Sequence, residues 1–373
     1  MEEEFVDRGV DGLIKVDGIW EWTTQPTTGR RTGYEDVIDS FNIISVEDYK
    51  GLNEADQYVM ALIVLDKIRR VNIYPTYYYS DKEIERTIVK CMSVSTPELI
   101  TYNTTGNTLL EYLFPNMHRV DAGNNINNCL YNRFYDDDKL MKCIMRHMKN
   151  YRFTNLRTMF FMYGRYFWQT ATGFSPMRAK AICTQLTSAG DTVYDFSAGF
   201  GGRMLGSLSA KRRYIGCEPD TNTFYNLQRL GAYIKNVNST AEYSIINKGS
   251  EDMRMASNSV DLVFSCPPYF ALERYSQECT QSVVRFPQYT EWLEGYVRPT
   301  LTTAFKALKP GKSMALVLAT RIYYMNKPYP LGDDWKRIAE QVGFKFIDTL
   351  CINKRSRKLS SNSEQLYLFK KGV

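Results

Sequence analysis

The chain has 373 residues, a length typical of about two domains, and 44% hydrophobic with 24% charged residues is an ordinary balance for a soluble globular protein. The net charge of +6 permits an acidic partner. No run of 18 apolar residues occurs, which excludes an ordinary membrane-spanning helix, and the acidic start Met1-Glu2-Glu3-Glu4 predicts no signal peptide.

The cysteines and histidines argue against a metal site. Eight cysteines are scattered without a CxxC pair, and His118 and His147 are the only histidines. A zinc site with ordinary ligand spacing is therefore not expected. Cys217 and Cys351 lie in apolar runs, as reduced and buried thiols do in a cytoplasmic protein, so a cytoplasmic location is expected.

Helical patterns dominate the N-terminal part of the chain. Residues 1–52 indicate short strands and loops, and residues 101–133, rich in Asn and turn formers, indicate a loop. Apolar positions recur at helical spacing in residues 53–70, where Asn53 is a start signal, and Ser80 is placed to cap a second helix that runs to about Met92. The segment 136–168 predicts one or two further helices.

The segment 136–168 also combines basic and aromatic residues. Lys142, Arg146 and Lys149 lie at i, i+4 and i+7 and share one helical face. Such a mixture can bind a phosphate backbone and stack bases. For each basic residue singly, a solvated face over an aromatic core is the alternative. The segment as a whole is interpreted as a nucleic-acid contact surface.

From about Gly173 to the end, strand and helix signals alternate, which predicts an α/β domain with a mainly parallel sheet. The predicted strands are 192–196, 213–218, 241–246, 260–264, 313–319, 344–352 and 365–370. The predicted helices are 221–236, 289–308 and 334–342.

A glycine-rich turn follows the first of these strands. It reads Asp195-Phe196-Ser197-Ala198-Gly199-Phe200-Gly201-Gly202 and leads into a helix, so a ligand can approach the backbone closely. Glu218 ends the second strand, and an acidic residue there can accept hydrogen bonds from ribose hydroxyls. The loop lacks a phosphate-binding lysine and the G-x-G-x-x-G spacing.

The fourth strand, residues 260–264, ends in Ser265-Cys266-Pro267-Pro268-Tyr269-Phe270. Two prolines stop the strand and hold the following aromatic residue on a rigid turn at its carboxyl end, where open α/β sheets bind ligands. This stretch resembles the [D/N/S]-P-P-[Y/F/W] motif of methyltransferases that modify exocyclic amino groups of nucleic-acid bases. Cys266 departs from it by standing where Asp, Asn or Ser is expected.

The resemblance covers residues 170–373 and implies a Rossmann-like class I methyltransferase sheet that binds S-adenosylmethionine. The implied cofactor-binding residues are Phe174, Asp195, Ser197, Ala198, Gly199, Gly201, Glu218, Glu251 and Asp252. Phe174, in a Gly-Phe-Ser-Pro segment with Lys180 nearby, would lie over the cofactor. Glu218 would hold the ribose, and either Glu251 or Asp252 the adenine.

The implied catalytic residues are Cys266, Pro267, Pro268 and Tyr269. In this chemistry, hydrogen-bond acceptors of the enzyme bind the N–H protons of the base's exocyclic amino group. They thereby turn the lone pair of that nitrogen toward the methyl group of S-adenosylmethionine. Because a cysteine is a weak acceptor, the Pro267 carbonyl and Ser265 would carry more of this task, while Tyr269 would stack on a flipped base. Two alternative interpretations of Cys266 remain. It could be a nucleophile for 5-methylation of a pyrimidine, or a small buried residue that is tolerated at the strand end.

The sequence as a whole predicts a methyltransferase domain over 171–373 and a mostly helical accessory region for substrate recognition over 1–170. The expected substrate is DNA, at adenine N6 first and cytosine N4 second. The alternatives are an RNA base, or a catalytically degenerate fold that binds nucleic acid. Basic residues in loops at the ligand edge are candidates for phosphate contact, or are solvated loop charges: Arg274, Arg355 and Arg357.

Overall fold

The structure is a computed structural model that describes residues 13–22, 34, 41–96, 98, 103–123, 128–152, 155–352 and 364–372. It divides into two compact units. One comprises residues 1–83 and 118–171, and the other comprises residues 84–117 and 172–373. The segment 84–117 therefore belongs with the C-terminal part of the chain. The division into an accessory region over 1–170 and a methyltransferase domain remains a prediction.

The helices of the described residues are α1 Val46–Gly51, α2 Glu54–Val71, α3 Asp81–Ser93, α4 Asn107–Leu113, α5 Leu130–Tyr135, α6 Asp137–Met148, α7 Leu156–Phe167, α8 Pro176–Leu186, α9 Gly202–Ser209, α10 Thr221–Val237, α11 Ser282–Arg285, α12 Tyr289–Trp292, α13 Arg298–Ala307 and α14 Leu331–Val342. Short 3₁₀ turns are Pro115–Arg119 and Ser250–Asp252, and Leu293–Val297 is a π turn.

The strands of the main sheet are β1 Thr192–Asp195, β2 Arg213–Cys217, β3 Tyr243–Ile246, β4 Val260–Ser265, β5 Leu308–Ala319, β6 Lys345–Cys351 and β7 Glu364–Lys370. Short strands outside it are Leu13–Val16, Ile19–Trp22, Asp121–Ala122, Glu273–Arg274, Ile322–Tyr324 and Lys327–Tyr329.

The first unit is mainly helical. Side-chain caps start its helices where the sequence predicts them: Asn53 Oδ1 accepts from Asp56 N at 3.0 Å before α2, and Asp136 Oδ1 accepts from Lys139 N at 3.0 Å before α6. Its core is aromatic. The buried Tyr74 ring stacks on Trp22 at 5.7 Å, and the Tyr74 hydroxyl lies 3.2 Å from His118 Nδ1.

The second unit is built on a seven-stranded sheet in the order β6-β7-β5-β4-β1-β2-β3. Strands β1 to β5 pair in parallel with one another, and β7 is antiparallel to both β5 and β6. Every residue of β1 and β4 is buried, as expected of central strands covered on both faces. This is a Rossmann-like α/β sheet with an antiparallel end, and it confirms the fold class expected from the sequence.

Three sequence expectations need correction. Residues 1–52 contain the helix α1 in addition to the predicted short strands. The segment 101–133 is not a continuous loop, because it contains α4, a 3₁₀ turn and α5. The predicted helix over 289–308 is interrupted by the π turn at Leu293–Val297 and ends at Ala307. Pro299 lacks the N–H of a regular helical bond, and the wider turn just before it accommodates that loss.

Candidate active site

The loops after the parallel strands meet at one edge of the sheet. The carboxyl ends of β1, β2, β3 and β4 all point to this edge because these strands are parallel. It therefore brings together the glycine-rich turn after β1, Glu218 after β2, the turn at Ser250–Asp252 and the stretch from Cys266 to Phe270 after β4, here called the Pro-Pro turn.

Asp195 joins two of these loops. Its fully buried carboxylate accepts from Arg203 Nε and the Tyr214 hydroxyl through Oδ2, both at 2.8 Å. Its Oδ1 accepts from Ser265 Oγ at 2.7 Å and from Ser197 N at 3.2 Å. Asp195 is thus satisfied by protein groups. It fixes the glycine-rich turn against Ser265, the last residue of β4, which directly precedes the Pro-Pro turn.

The Arg203 guanidinium is buried together with Asp195. Burial lowers the pKa of Arg203, but the Asp195 carboxylate, with smaller contributions from Cys266 and Tyr214, raises it above its usual value overall, so the guanidinium stays charged. It also donates to the Ser197 carbonyl. Its carbon lies 5.4 Å from the Phe174 ring centre, and Phe174 in turn packs edge-on against Phe264. Phe174 therefore lies beside the glycine-rich turn.

The glycines of the turn are required by its backbone. Gly199 and Gly201 have φ of +54° and +72°, which favour glycine. A Cβ on Gly202 would lie 1.8 Å from the Phe174 carbonyl oxygen, so only glycine fits there. Ala198 is buried, and its N–H donates to the Cys217 carbonyl at 2.9 Å. The turn is thereby held between β1 and β2.

Glu218 is the acidic residue beside this turn. Its side chain accepts from Gly199 N at 2.8 Å and from Asp220 N at 3.0 Å. Burial raises the pKa of Glu218 to about 8, the Asp220 carboxylate also raises it, and the two amide hydrogen bonds lower it. Glu218 is therefore a buried carboxyl group that takes up and releases a proton near neutral pH.

The structure distinguishes Glu251 from Asp252. Arg285 Nη1 binds both carboxylates, at 2.6 Å and 2.5 Å. The Glu251 side chain is 3% exposed, against 49% for Asp252. Glu251 Oε2 is buried without a hydrogen-bond partner among the described residues. An orphaned buried oxygen of this kind marks a position where a donor group of a ligand would be stabilised.

The Pro-Pro turn contains a strained residue. Phe270, directly after Tyr269, has φ of +55°, which is rare for a bulky side chain. Its buried ring packs against Tyr289, Trp292 and Tyr324, so surrounding contacts hold this conformation. Ser265 is fully buried. Its hydroxyl donates to Asp195 and links β4 to the glycine-rich turn, while its expected role as an acceptor for the amine stays a prediction.

Cys266 and Tyr269 contact each other. Cys266 Sγ lies 3.6 Å from the Tyr269 hydroxyl, which donates to Glu364 Oε1 at 3.0 Å. Burial raises the pKa of the Cys266 thiol to about 12, and the Glu364 carboxylate also raises it. The thiol is therefore protonated at neutral pH. Sequence reasoning missed Glu364, although a residue that begins an antiparallel strand lies at the carboxyl edge of the parallel ones.

The remaining predicted residues fall elsewhere. Lys180 has a structural role at α3: its Nζ donates to the carbonyls of Cys91, Met92 and Val94 at the C-terminal end of that helix. Lys142 and Arg146 are exposed on α6, and Lys149 is half-buried at its end. The Arg146 guanidinium carbon lies 5.6 Å from the Tyr166 ring, and Arg274 is exposed. Arg355 and Arg357 lie outside the described residues.

Comparison with known proteins gives similarity in fold. No protein-family model and no curated protein matches the sequence. A TehB-like SAM-dependent methyltransferase from Corynebacterium glutamicum is 14% identical, with 57% of this chain and 96% of that chain covered and a TM-score of 0.35. A methyltransferase from Pyrococcus furiosus is 20% identical, with 53% and 83% covered and a TM-score of 0.35.

The [4+2]-cyclase SpnF is also similar, at 9% identity, with 55% of this chain and 86% of that chain covered and a TM-score of 0.37. At these similarities the activity must be argued from the site itself. Among the described residues, no helix has the length and apolar character needed to cross a membrane, and no three His, Cys, Asp or Glu side chains are grouped to hold a metal ion.

Proposed function

We propose that the protein transfers a methyl group from S-adenosylmethionine to an exocyclic amine of a nucleic-acid base, at adenine N6 in DNA first and cytosine N4 second. The observation that carries the proposal is the hydrogen bond of 2.7 Å from Ser265 Oγ to Asp195 Oδ1. It couples the glycine-rich turn of a cofactor site to the Pro-Pro turn of an amine site. The glycine-rich turn resembles its motif in sequence, and the Pro-Pro turn resembles its own motif at every position except Cys266.

The residues at the sheet edge fit this cofactor. Glu218 is a buried carboxyl beside the glycine-rich turn, suited to accept from ribose hydroxyls. The orphaned Glu251 Oε2 is suited to accept from the adenine amino group. We therefore assign the adenine contact to Glu251 rather than Asp252. Phe174 and the backbone of Ser197 to Gly201 would form the rest of the cofactor site.

S-adenosylmethionine, when bound, would supply a methyl group attached to a positively charged sulfur. The rest of the molecule would leave as a neutral thioether. The protein must then hold the amine and remove water. Phe270 and the two prolines hold the turn rigid, and the buried Tyr269 ring lies next to Cys266. Stacking on a flipped base would require the Tyr269 ring to become exposed when the substrate binds. Because Cys266 is a weak acceptor, the Pro267 carbonyl is the group within the motif that would accept a hydrogen bond from the substrate amine.

The protonated state of Cys266 argues against 5-methylation of a pyrimidine. That reaction needs a thiolate, whereas burial raises the pKa of Cys266 to about 12. The exposed basic side chains of α6, Lys142 and Arg146, and the Tyr166 ring, which is 65% exposed, support nucleic-acid contact by the first unit. Arg274 supports phosphate contact near the Pro-Pro turn. An RNA substrate remains the second candidate.

Cofactor binding separates an enzyme from a degenerate fold. Calorimetric titration with S-adenosylmethionine should give saturable binding, and Glu251→Ala should weaken it about tenfold or more because a buried hydrogen-bonded partner is lost. Glu242→Ala, an exposed position, is the matched control. No binding by the unmodified protein would contradict the enzyme assignment, and equal binding by Glu251→Ala would contradict the adenine contact.

A further inference from the structure

The strand β7 brings a carboxylate to the edge where the Pro-Pro turn lies. Its first residue, Glu364, pairs with Ala319 at the carboxyl end of β5, while Ser265 at the end of β4 pairs with Leu316. Since β7 runs antiparallel to β5, its amino end and the carboxyl ends of the parallel strands share one edge. Glu364 thus lies near Cys266 despite its distance in sequence.

Contacts connect Glu364 to the catalytic turn. The half-buried Glu364 side chain accepts from the Tyr269 hydroxyl at 3.0 Å, and the same hydroxyl lies 3.6 Å from Cys266 Sγ. Glu364 and Cys266 therefore flank one hydroxyl. A carboxylate has two oxygens and about four acceptor positions, so accepting from Tyr269 leaves it capacity for a further donor.

We propose that Glu364 supplies the acceptor for the substrate amine that Cys266, a weak acceptor, does not provide. This inference rests on the proposed amine methylation. In the resembling enzymes the acceptor belongs to the first residue of the motif, whereas here it is contributed from the neighbouring antiparallel strand. The position of Cys266 is then occupied by a small neutral group, which avoids placing two carboxylates against each other.

The role follows from the balance of the reaction. When the amine nitrogen bonds to the methyl carbon, the bond from that carbon to sulfur breaks and its electron pair stays on sulfur. The nitrogen becomes cationic and must release one of its protons. A carboxylate that accepts a hydrogen bond from this N–H orients the lone pair beforehand and takes the proton, becoming a neutral carboxylic acid.

The test compares Glu364→Gln with the unmodified protein in methyl transfer to unmethylated plasmid DNA and, separately, to unmodified RNA. Glutamine can still accept from Tyr269 but does not take a proton. We expect kcat to fall about 100-fold, with KM for the nucleic acid and affinity for S-adenosylmethionine little changed. Glu340→Gln, an exposed position on α14, is the matched control and should keep full activity.

Rescue makes the test specific. Cys266→Asp restores the usual acceptor of the motif, so adding it to Glu364→Gln should recover at least about tenfold of the lost kcat. In the unmodified background the same substitution should help less, because it places a second carboxylate beside Glu364. A Glu364→Gln variant with full activity would overturn the proposal while leaving the proposed function intact.

A second readout does not depend on activity. Iodoacetamide labelling at pH 8.5, followed by peptide mass spectrometry, measures thiolate formation at Cys266 against the exposed Cys279 as internal reference. Glu364→Gln should accelerate labelling of Cys266 several-fold relative to Cys279, because a neighbouring negative charge is removed. An unchanged ratio would remove Glu364 from this site. If the unmodified protein methylates neither DNA nor RNA, the proposed function fails and the acceptor role fails with it, whatever the labelling ratio.

Discussion

Cys266 stands where the [D/N/S]-P-P-[Y/F/W] motif that this stretch resembles carries a hydrogen-bond acceptor, and its surroundings decide what it can do. Burial and the Glu364 carboxylate raise the pKa of its thiol to about 12. We therefore expect Cys266→Ser to retain or increase methyl transfer, since a hydroxyl accepts hydrogen bonds better than a thiol. Steady-state transfer kinetics measure this. A nearly complete loss of activity would instead identify Cys266 as a nucleophile.

Glu218 should make stability depend on pH. Its pKa is near 4.5 in the unfolded chain and about 8 in the folded protein, so the folded state binds more protons between these values. The contribution of Glu218 to the free energy of unfolding is thus fully present below about pH 4.5 and is lost as pH rises to about 8.

Urea unfolding at pH 5.5, 7.0 and 8.5 tests this dependence. The free energy of unfolding of Glu218→Gln should decline less over this range than that of the unmodified protein. Glu273, whose pKa burial raises to about 7, contributes a decline of the same sign to both proteins, so the difference isolates Glu218. Parallel curves for the two proteins would show that Glu218 keeps an ordinary pKa.

At the scale of elements, the glycine-rich turn depends on close packing against the segment that contains Phe174. Gly202→Ala should prevent this packing, because the new Cβ would lie 1.8 Å from the Phe174 carbonyl oxygen. We expect a loss of more than about 3 kcal/mol in unfolding free energy, or failure to fold. The measurement is chemical unfolding followed by circular dichroism.

Gly51→Ala is the control for this substitution. Gly51 also lies in a helix, has no positive φ, and its added Cβ would meet nothing within 4 Å. Its stability should stay within about 0.5 kcal/mol of the unmodified protein or rise slightly. If Gly202→Ala is equally well tolerated, the close approach between Gly202 and Phe174 is not present in solution.

The elements of the sheet could be predicted because their signals are local. Strands such as β4 are short apolar runs bounded by turn-forming residues, here Asn258 and Ser259 before the strand and Pro267 after it, as buried parallel strands are. Helix α4 could not be predicted, because the Asn-rich sequence on either side of it is typical of loops. Its helical state is supported by burial of Leu109, Leu110 and Tyr112, which is a tertiary effect. The π turn likewise has no local signal apart from Pro299.

The candidate site could be predicted only where its motifs are continuous in sequence. Local patterns predict the glycine-rich turn, Glu218 and the Pro-Pro turn as parts of it, and their functional roles stay predictions. Two features required tertiary structure: the burial that distinguishes Glu251 from Asp252, and the pairing that places Glu364 on Tyr269 across 95 residues. A strand register set by long-range pairing has no signature in either segment alone.

At the scale of the molecule, the exposed basic residues of α6 should add to nucleic-acid affinity. The double substitution Lys142→Ala/Arg146→Ala should weaken DNA binding several-fold at low salt and reduce the slope of log affinity against log salt by about 1 to 2. Fluorescence anisotropy with a labelled oligonucleotide measures both. The control is Lys82→Ala/Lys90→Ala, which removes the same charge from two exposed lysines of α3. If both double variants weaken binding equally, α6 contributes only through net charge and is not a specific contact surface.

The most direct test of the account is transfer of labelled methyl from S-adenosylmethionine to unmethylated DNA and to total RNA, followed by nucleoside mass spectrometry. We predict label on an exocyclic amine, as N6-methyladenine in DNA first and N4-methylcytosine second. N6-methyladenine in RNA alone would keep the chemistry and change the substrate. Label at carbon 5 of a pyrimidine, or no label on either polymer despite cofactor binding, would contradict amine methylation at the turn formed by Cys266 to Tyr269.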